Sequence, residues 1–239
     1  MGMLFLFFFC IPTHAETLHL ATEHYPPFSM RQNGEPVGEP DDVLMGISPE
    51  IIRELFRRAG IQHTIQIYPW KRACGMALRK LKHGVFSTTR TPERESLFKW
   101  AGPLGANEWV LMAKKSRNIR IRSLEDARRY EIGVYGGDAM AGFLEKKGFK
   151  LQYTSHDYLN ALKLNLGRTD LWATGSLLDP YLAKKQGVSE LEQVLVFKQV
   201  SLFIAFNPSV PDKTIDRLNK IFREMKADGS MDKIFNRCR

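Results

Sequence analysis

Apolar and polar residues alternate over Leu18-His-Leu-Ala-Thr22, a period of two that predicts a strand. It runs into Glu23-His-Tyr-Pro-Pro-Phe28, where two prolines force a turn. Residues 32–42, with Gly34, Pro36, Gly38 and Pro40, predict a loop. Ser48-Pro49 supplies an N-cap and a first helical position, so a helix is expected over Glu50–Ala59, stopping at Gly60. Alternation returns over Ile61–Tyr68, Pro69-Trp70 breaks it, and a helix over Lys71–Lys82 and a strand over Val85–Arg90 follow. After the apolar Val110-Leu-Met-Ala-Lys comes a second series: strand Glu131–Tyr135, helix Asp138–Lys147, strand Lys150–Thr154, helix Asp157–Leu166, strand Asp170–Thr174 and helix Ser176–Gln186. Val194–Phe206 reads as one or two strands, and Asp212–Ala227 as a terminal amphipathic helix ending near Gly229. Strands that alternate with helices imply an α/β class with parallel sheet and crossover helices. Two such series imply two lobes with a cleft between them, a common ligand site.

The 239 residues leave room for one large domain or two small ones. Residues 1–15 form an apolar run too short to cross a bilayer, ending in Thr13 and Ala15 at the spacing a signal peptidase reads, so a cleaved secretory signal is expected; a buried N-terminal strand is the alternative. No Lys or Arg precedes that run, which leaves room for a start upstream of Met1, and Cys10 follows Phe7 to Phe9 rather than the small residues of a lipid-anchor site. No later stretch of about 18 apolar residues occurs, so a soluble periplasmic chain is expected. The net charge of +9 favours acidic partners. Its basic residues are spread along the chain, often beside acids as in Ser123-Leu-Glu-Asp-Ala-Arg-Arg129, with no basic run interleaved with aromatics. That favours a solvated surface and a small anionic ligand over nucleic acid. In an oxidising compartment Cys74 and Cys238 are as readily bridged as free. The absence of C-x-x-C, H-E-x-x-H and clustered histidines argues against a metal, and no G-x-x-x-x-G-K-[ST] loop offers a phosphate site; no cofactor is expected.

The candidate chemistry lies in Ser87-Thr-Thr-Arg-Thr-Pro-Glu-Arg-Glu-Ser96. Thr91 and Pro92 read as N-cap and first helical position, which puts Arg94 in a first turn, where a cation opposes the helix dipole. An anionic ligand supplies a reason: guanidinium offers two parallel hydrogen bonds to a carboxylate, with hydroxyls and free N–H groups completing the cradle. The alternative is that Arg90 and Arg94 pair with Glu93, Glu95 or other surface acids. The residues alone leave both open.

Tyr25-Pro-Pro-Phe28, Gly46 before a helix, Pro69-Trp70, Thr91-Pro-Glu-Arg94, Ile132-Gly-Val-Tyr-Gly-Gly137, Gly167-Arg-Thr-Asp170 and Ala227-Asp-Gly-Ser-Met-Asp-Lys-Ile234, in that order, resemble family 3 of the bacterial periplasmic solute-binding proteins, the polar amino-acid type. The resemblance spans nearly the whole mature chain. It implies a two-lobed type II periplasmic-binding-protein (Venus flytrap) fold with two hinge strands, one lobe of residues 17–112 plus 201–239 and the other of 113–200. It further implies a monomer that captures a carboxylate-bearing solute for a membrane ABC permease. Arg94 matches the family's carboxylate clamp, helped by Thr89 and Ser87. Tyr25 and Trp70 match aromatic positions that pack on the ligand, with core aromatics as the alternative. Gly137-Asp138 falls where the second lobe offers backbone N–H groups, and Asp138 reads equally as a plain N-cap. The family's ammonium-binding aspartate, five residues after Asp170, is replaced by Gly175, and Arg90 stands where an aliphatic residue is usual. These departures imply either a ligand with an extra acidic group or an ammonium held by Glu23 or Asp138. Two alternatives share the fold: a cyclohexadienyl-dehydratase-like enzyme using an acid such as Glu23, and a sensing module for a membrane receptor.

Overall fold

The computed structural model describes residues 17–35, 43–178, 181, 183–184 and 186–238. The expected signal at residues 1–15, most of the 32–42 loop and part of the expected helix Ser176–Gln186 lie outside them. Strand β1 (Leu18–Thr22) pairs in parallel with β4 (His63–Ile67) and β5 (His83–Thr89), while β2 (Met30–Arg31) and β3 (Leu44–Met45) form a separate ribbon. At the other end β7 (Ile132–Tyr135) pairs in parallel with β8 (Leu151–Thr154) and β9 (Leu171–Gly175). These are the parallel units that the alternation of strands and helices implies.

Between the two sets run β6 (Lys99–Lys114) and β10 (Leu191–Phe206), 16 residues each and antiparallel from Lys99↔Phe206 to Lys114↔Leu191. The sheet order is therefore β4-β1-β5-β10-β6-β9-β7-β8, with the two long strands joining the halves. Val194–Phe206 is one strand rather than two. The full length of β6 escapes a reading by periodicity because Gly102, Pro103 and Gly105 punctuate it like a loop. Its register comes instead from pairing with β10, along three irregularities.

Helix α1 (Ile47–Ala59) begins before the expected Ser48-Pro49 start. Gly46 is its N-cap at φ 112°, where a Cβ would lie 2.6 Å from the Pro27 carbonyl oxygen, so the close approach of two backbones sets the boundary. Its apolar face, with Ile51, Ile52, Leu55 and Phe56, packs with the α6 (Asp212–Ala227) residues Leu218, Phe222 and Met225 on β1 and β5. Helices α2 (Trp70–Arg79), α3 (Pro92–Glu95), α4 (Ala139–Lys146) and α5 (Tyr158–Asn165) lie between them in sequence, and an unanticipated α7 (Ser230–Cys238) follows α6. A separate core, built on Leu111, Ile132, Val134, Leu144 and Leu171, serves the second half. Two cores joined by two long strands make two lobes.

Cys74 packs in the cluster around α2 and Cys238 against the cluster beneath α1. Both thiols are free, so the bridge entertained above is not formed: each cysteine packs in a different cluster. Among the described residues no helix is long and apolar enough to cross a membrane.

Candidate functional site

The turn after β1, the end of β5, the first turns of α2 and α3, the β7–α4 turn and the middle of β6 meet between the lobes. They enclose a cavity of about 20 Å³, with Glu23, Tyr25, Trp70, Ser87, Thr88, Thr89, Trp109 and Asp138 in its wall. Seven of these eight lie in motifs already singled out in the sequence. That volume admits little more than one water-sized group.

The end of β5 is shaped by a bulge. Thr88 pairs with Phe203 and Val85 with Ala205, so Phe86 and Ser87 together oppose Ile204. Ser87 takes φ 58°, uncommon for a residue with a Cβ. Its hydroxyl donates to Ser48 Oγ at 2.9 Å and shares a 3.2 Å hydrogen bond with Ser29, which Thr22 also reaches at 3.3 Å. Ser87 thus spends its hydroxyl inside the first lobe, and Ser48 serves this network instead of capping α1. The Arg94 guanidinium donates to the Thr88 hydroxyl at 3.1 Å, and Thr89 lines the cavity beside it.

Arg94 stands 5.5 Å over the Trp70 ring and donates to the Gly137 carbonyl at 3.2 Å. Trp70 Nε1 donates to the same carbonyl at 2.9 Å. One oxygen of the second lobe therefore accepts from two side chains of the first, and Lys146–Glu93 at 2.6 Å adds an ion pair across the opening. Gly137 turns its carbonyl toward the first lobe, and the Asp138 N–H closes a turn on Tyr135 at 3.3 Å. Arg90 corrects the expectation of a second cation beside the site. It binds Glu95 through two hydrogen bonds of 2.7 and 2.5 Å, packs over Trp100 and Phe203, and lines neither cavity between the lobes. The surface pairing left open above holds for Arg90; Arg94 alone faces the cleft.

Opposite Arg94 lie the carboxyls. Glu23, half-buried and hydrogen-bonded by the Tyr135 hydroxyl, has its pKa pushed well up, first by burial and next by the Asp138 charge. Burial also raises Asp138, outweighing Arg94 and the backbone N–H groups at the start of α4. Asp157 is pushed up to about 6 by burial, although Asn160, Trp172 and Thr174 donate to it at 2.9, 2.9 and 3.3 Å. A guanidinium has donors to offer an anion, and two carboxyls that resist ionising would ionise more readily beside a cation.

The glycine in the anchor position has a steric explanation. A Cβ on Gly175 would lie 2.7 Å from the Tyr25 hydroxyl and 3.1 Å from the Asn107 amide oxygen, and Asn107 Nδ2 donates to that hydroxyl at 3.1 Å. The Tyr25–Asn107 pair occupies the space a side chain at 175 would need. Gly175→Ala is expected to destabilise the protein by about 1–3 kcal/mol. Tyr25→Phe in that background should recover part of the loss in denaturant melts; equal stabilities of Gly175→Ala and wild type would refute the clash.

Sequence reading missed Thr88, Asn107, Trp109, Tyr135 and Asp157. Trp109 and Asn107 belong to β6, which was not recognised, while Tyr135 was read as a strand end within a family motif and Asp157 as a helix start, neither with a role in the site. Beyond the inner cavity a larger chamber of about 450 Å³ opens toward α4, with Trp109 and Asp138 common to both walls and Arg94 on its edge. Among the described residues no cluster of His, Cys, Asp or Glu could hold a metal ion.

The profile of the bacterial extracellular solute-binding proteins, family 3, matches residues 18–238. An ancestral arginine-binding protein bound to arginine is similar in structure at a TM-score of 0.78, with 22% identity, 94% of this chain and 99% of that one covered. A histidine kinase sensor domain similar to periplasmic binding proteins matches at 0.82, with 15% identity and coverage of 92% and 95%. The substrate-binding protein of an amino acid ABC transporter matches at 0.75, with 18% identity and coverage of 93% and 98%. At these identities the likenesses establish the two-lobed fold. No curated protein sequence matches the chain.

Proposed function

Because the chain belongs to family 3 of the bacterial extracellular solute-binding proteins, we propose that its cleft captures an amino acid or close derivative, carboxylate on Arg94 and ammonium toward Glu23 and Asp138. The placing of Glu23 on the inner cavity, Arg94 on the adjoining chamber and Asp138 on the wall of both carries this reading. Closure of the lobes replaces the ligand's water with fixed donors and acceptors, which strengthens each charge-assisted contact. The two lobes, residues 17–112 plus 201–239 and residues 113–200, would move about the segments of β6 and β10 near Met112–Lys115 and Phe197–Ser201.

The same reading makes the protein an exported monomer, with residues 1–15 removed, that delivers its solute to an ABC permease. N-terminal sequencing of periplasmic protein checks the first step, and a chain still beginning at Met1 would remove it. Likeness to a histidine kinase sensor domain supports a second destination, a membrane receptor. Uptake of labelled ligand by cells lacking the protein separates the two: unchanged uptake favours sensing.

Binding itself is tested by thermal shift on refolded, ligand-stripped protein against the common amino acids, dicarboxylates and small peptides. A ligand at a hundred times its Kd stabilises the folded state by about 2.7 kcal/mol, a readily measured shift. If no amino acid or derivative raises the melting temperature, the reading fails.

A further inference from the structure

The chamber of about 450 Å³ beside Arg94 is far larger than the inner cavity, and its chemistry differs. Its floor is aromatic: Trp109 and Phe143 lie 5.6 Å apart, and Phe197 stacks behind Phe143 at 6.3 Å. Over these rings stands Lys198, with Nζ 4.4 Å from the Phe143 centroid and 5.4 Å from that of Trp109, and Lys147 reaches the Phe143 ring at 5.3 Å. Among the described residues neither lysine has a carboxylate within ion-pair distance, whereas Lys146 is held by Glu93. An apolar floor with two cations above it complements an apolar group that ends in an anion.

Gly142 supplies an independent observation. It lies within α4, where glycine weakens a helix, and it lines the chamber. A Cβ placed there would meet nothing within 4 Å, so no packing contact in the structure requires a glycine. Its effect is to keep the chamber wide.

We propose that the ligand is not a free amino acid but an amino acid extended by an apolar, ring-sized body carrying a second anionic group. This rests on the amino-acid reading above. The ammonium enters the inner cavity, the first carboxylate rests on Arg94, the body lies on Trp109 and Phe143, and the distal anion meets Lys198 and Lys147. The extra cations and the small inner cavity then have one explanation: the cleft divides its ligand into a head and a tail.

Calorimetry with γ-glutamylphenylalanine and with glutamate tests this on wild type, Gly142→Leu and Lys198→Gln. The dipeptide should bind wild type at least about tenfold more tightly than glutamate, because only it reaches the chamber and its cations. Gly142→Leu, which adds a helix-favouring side chain in open space, should erase that margin while leaving the glutamate affinity unchanged. Lys198→Gln, at an exposed position that needs no refolding of the core, should cut the dipeptide affinity severalfold and glutamate little. Equal affinities for the two probes in wild type, or a margin that survives both substitutions, would overturn the extended ligand while leaving the amino-acid reading in place. Binding of neither probe would count against both.

Discussion

Arg94→Ala is expected to abolish measurable binding of any amino-acid ligand. Two of the five guanidinium N–H donors are engaged, on Thr88 and on the Gly137 carbonyl, which leaves donors for a carboxylate. Truncating one partner of a desolvated, hydrogen-bonded charge pair costs about 2–5 kcal/mol, roughly 30- to several-thousand-fold in Kd. Arg94→Lys should restore little, since an ammonium cannot present two parallel donors. The contact with Gly137 also ties the lobes together, so a lost latch must be distinguished from a lost clamp. Trp70→Phe removes the other donor to that carbonyl and keeps the guanidinium, and its effect should be the smaller of the two. A carboxylate ligand that binds Arg94→Ala as tightly as wild type by calorimetry would end the clamp assignment.

Glu23→Gln should separate stability from binding. A carboxyl whose folded pKa exceeds its unfolded value, about 4, holds its proton longer in the folded state; its contribution is full below the unfolded pKa and is lost as pH rises through the folded one. Glu23, Asp138 and Asp157 are all shifted this way, with Asp157 at about 6, so the cluster favours the ligand-free fold at pH 5 over pH 8. Half-buried Glu54, held at about 2 by Arg57 and Arg58, is charged throughout that window and adds no slope. His19 and His63, depressed by burial, pull the other way below pH 6.5. The signature is therefore the difference between wild type and Glu23→Gln. Replacing the acid by an isosteric amide that can still accept from Tyr135 should stabilise the ligand-free protein by about 1–3 kcal/mol at pH 8, and by less at pH 5. Affinity for an ammonium-bearing ligand should fall in the same variant, and wild-type affinity should weaken toward low pH as protons compete for the acids. Glu23→Gln melting below wild type at pH 8 would contradict the account.

Legibility differed between the fold and the site, for a physical reason. Patterns that repeat within a few residues were readable: the helix Asp212–Ala227 matches to the residue, β1 likewise, and α1 stops at Gly60 because only a left-handed residue ends it there. The site was partly readable because its aromatic, hydroxyl and arginine positions cluster in short motifs. Arg94 and Arg90, four residues apart and chemically identical, were not separable. Strand alternation held only until the bulge at Phe86–Ser87, which is defined by its partner strand and appears nowhere in the local sequence.

Local chemistry in the chain determined the α/β alternation, the two lobes it implies, most of the helix and strand positions and the clustering of Arg90 and Arg94 beside a hydroxyl-rich helix start. Those depend on periodicity, proline, glycine and charge within one turn or one strand, and such interactions need no knowledge of distant residues. Tertiary structure alone decided the rest. It joined the lobes through two 16-residue strands, aimed Arg90 outward at Glu95, and turned the Gly137 carbonyl toward Trp70 and Arg94. It also filled the place of a side chain at 175 with Tyr25 and Asn107, and it opened a chamber between α3, α4 and the long strands. Each of those is a contact between segments tens of residues apart, where packing and desolvation, rather than local preference, select the arrangement.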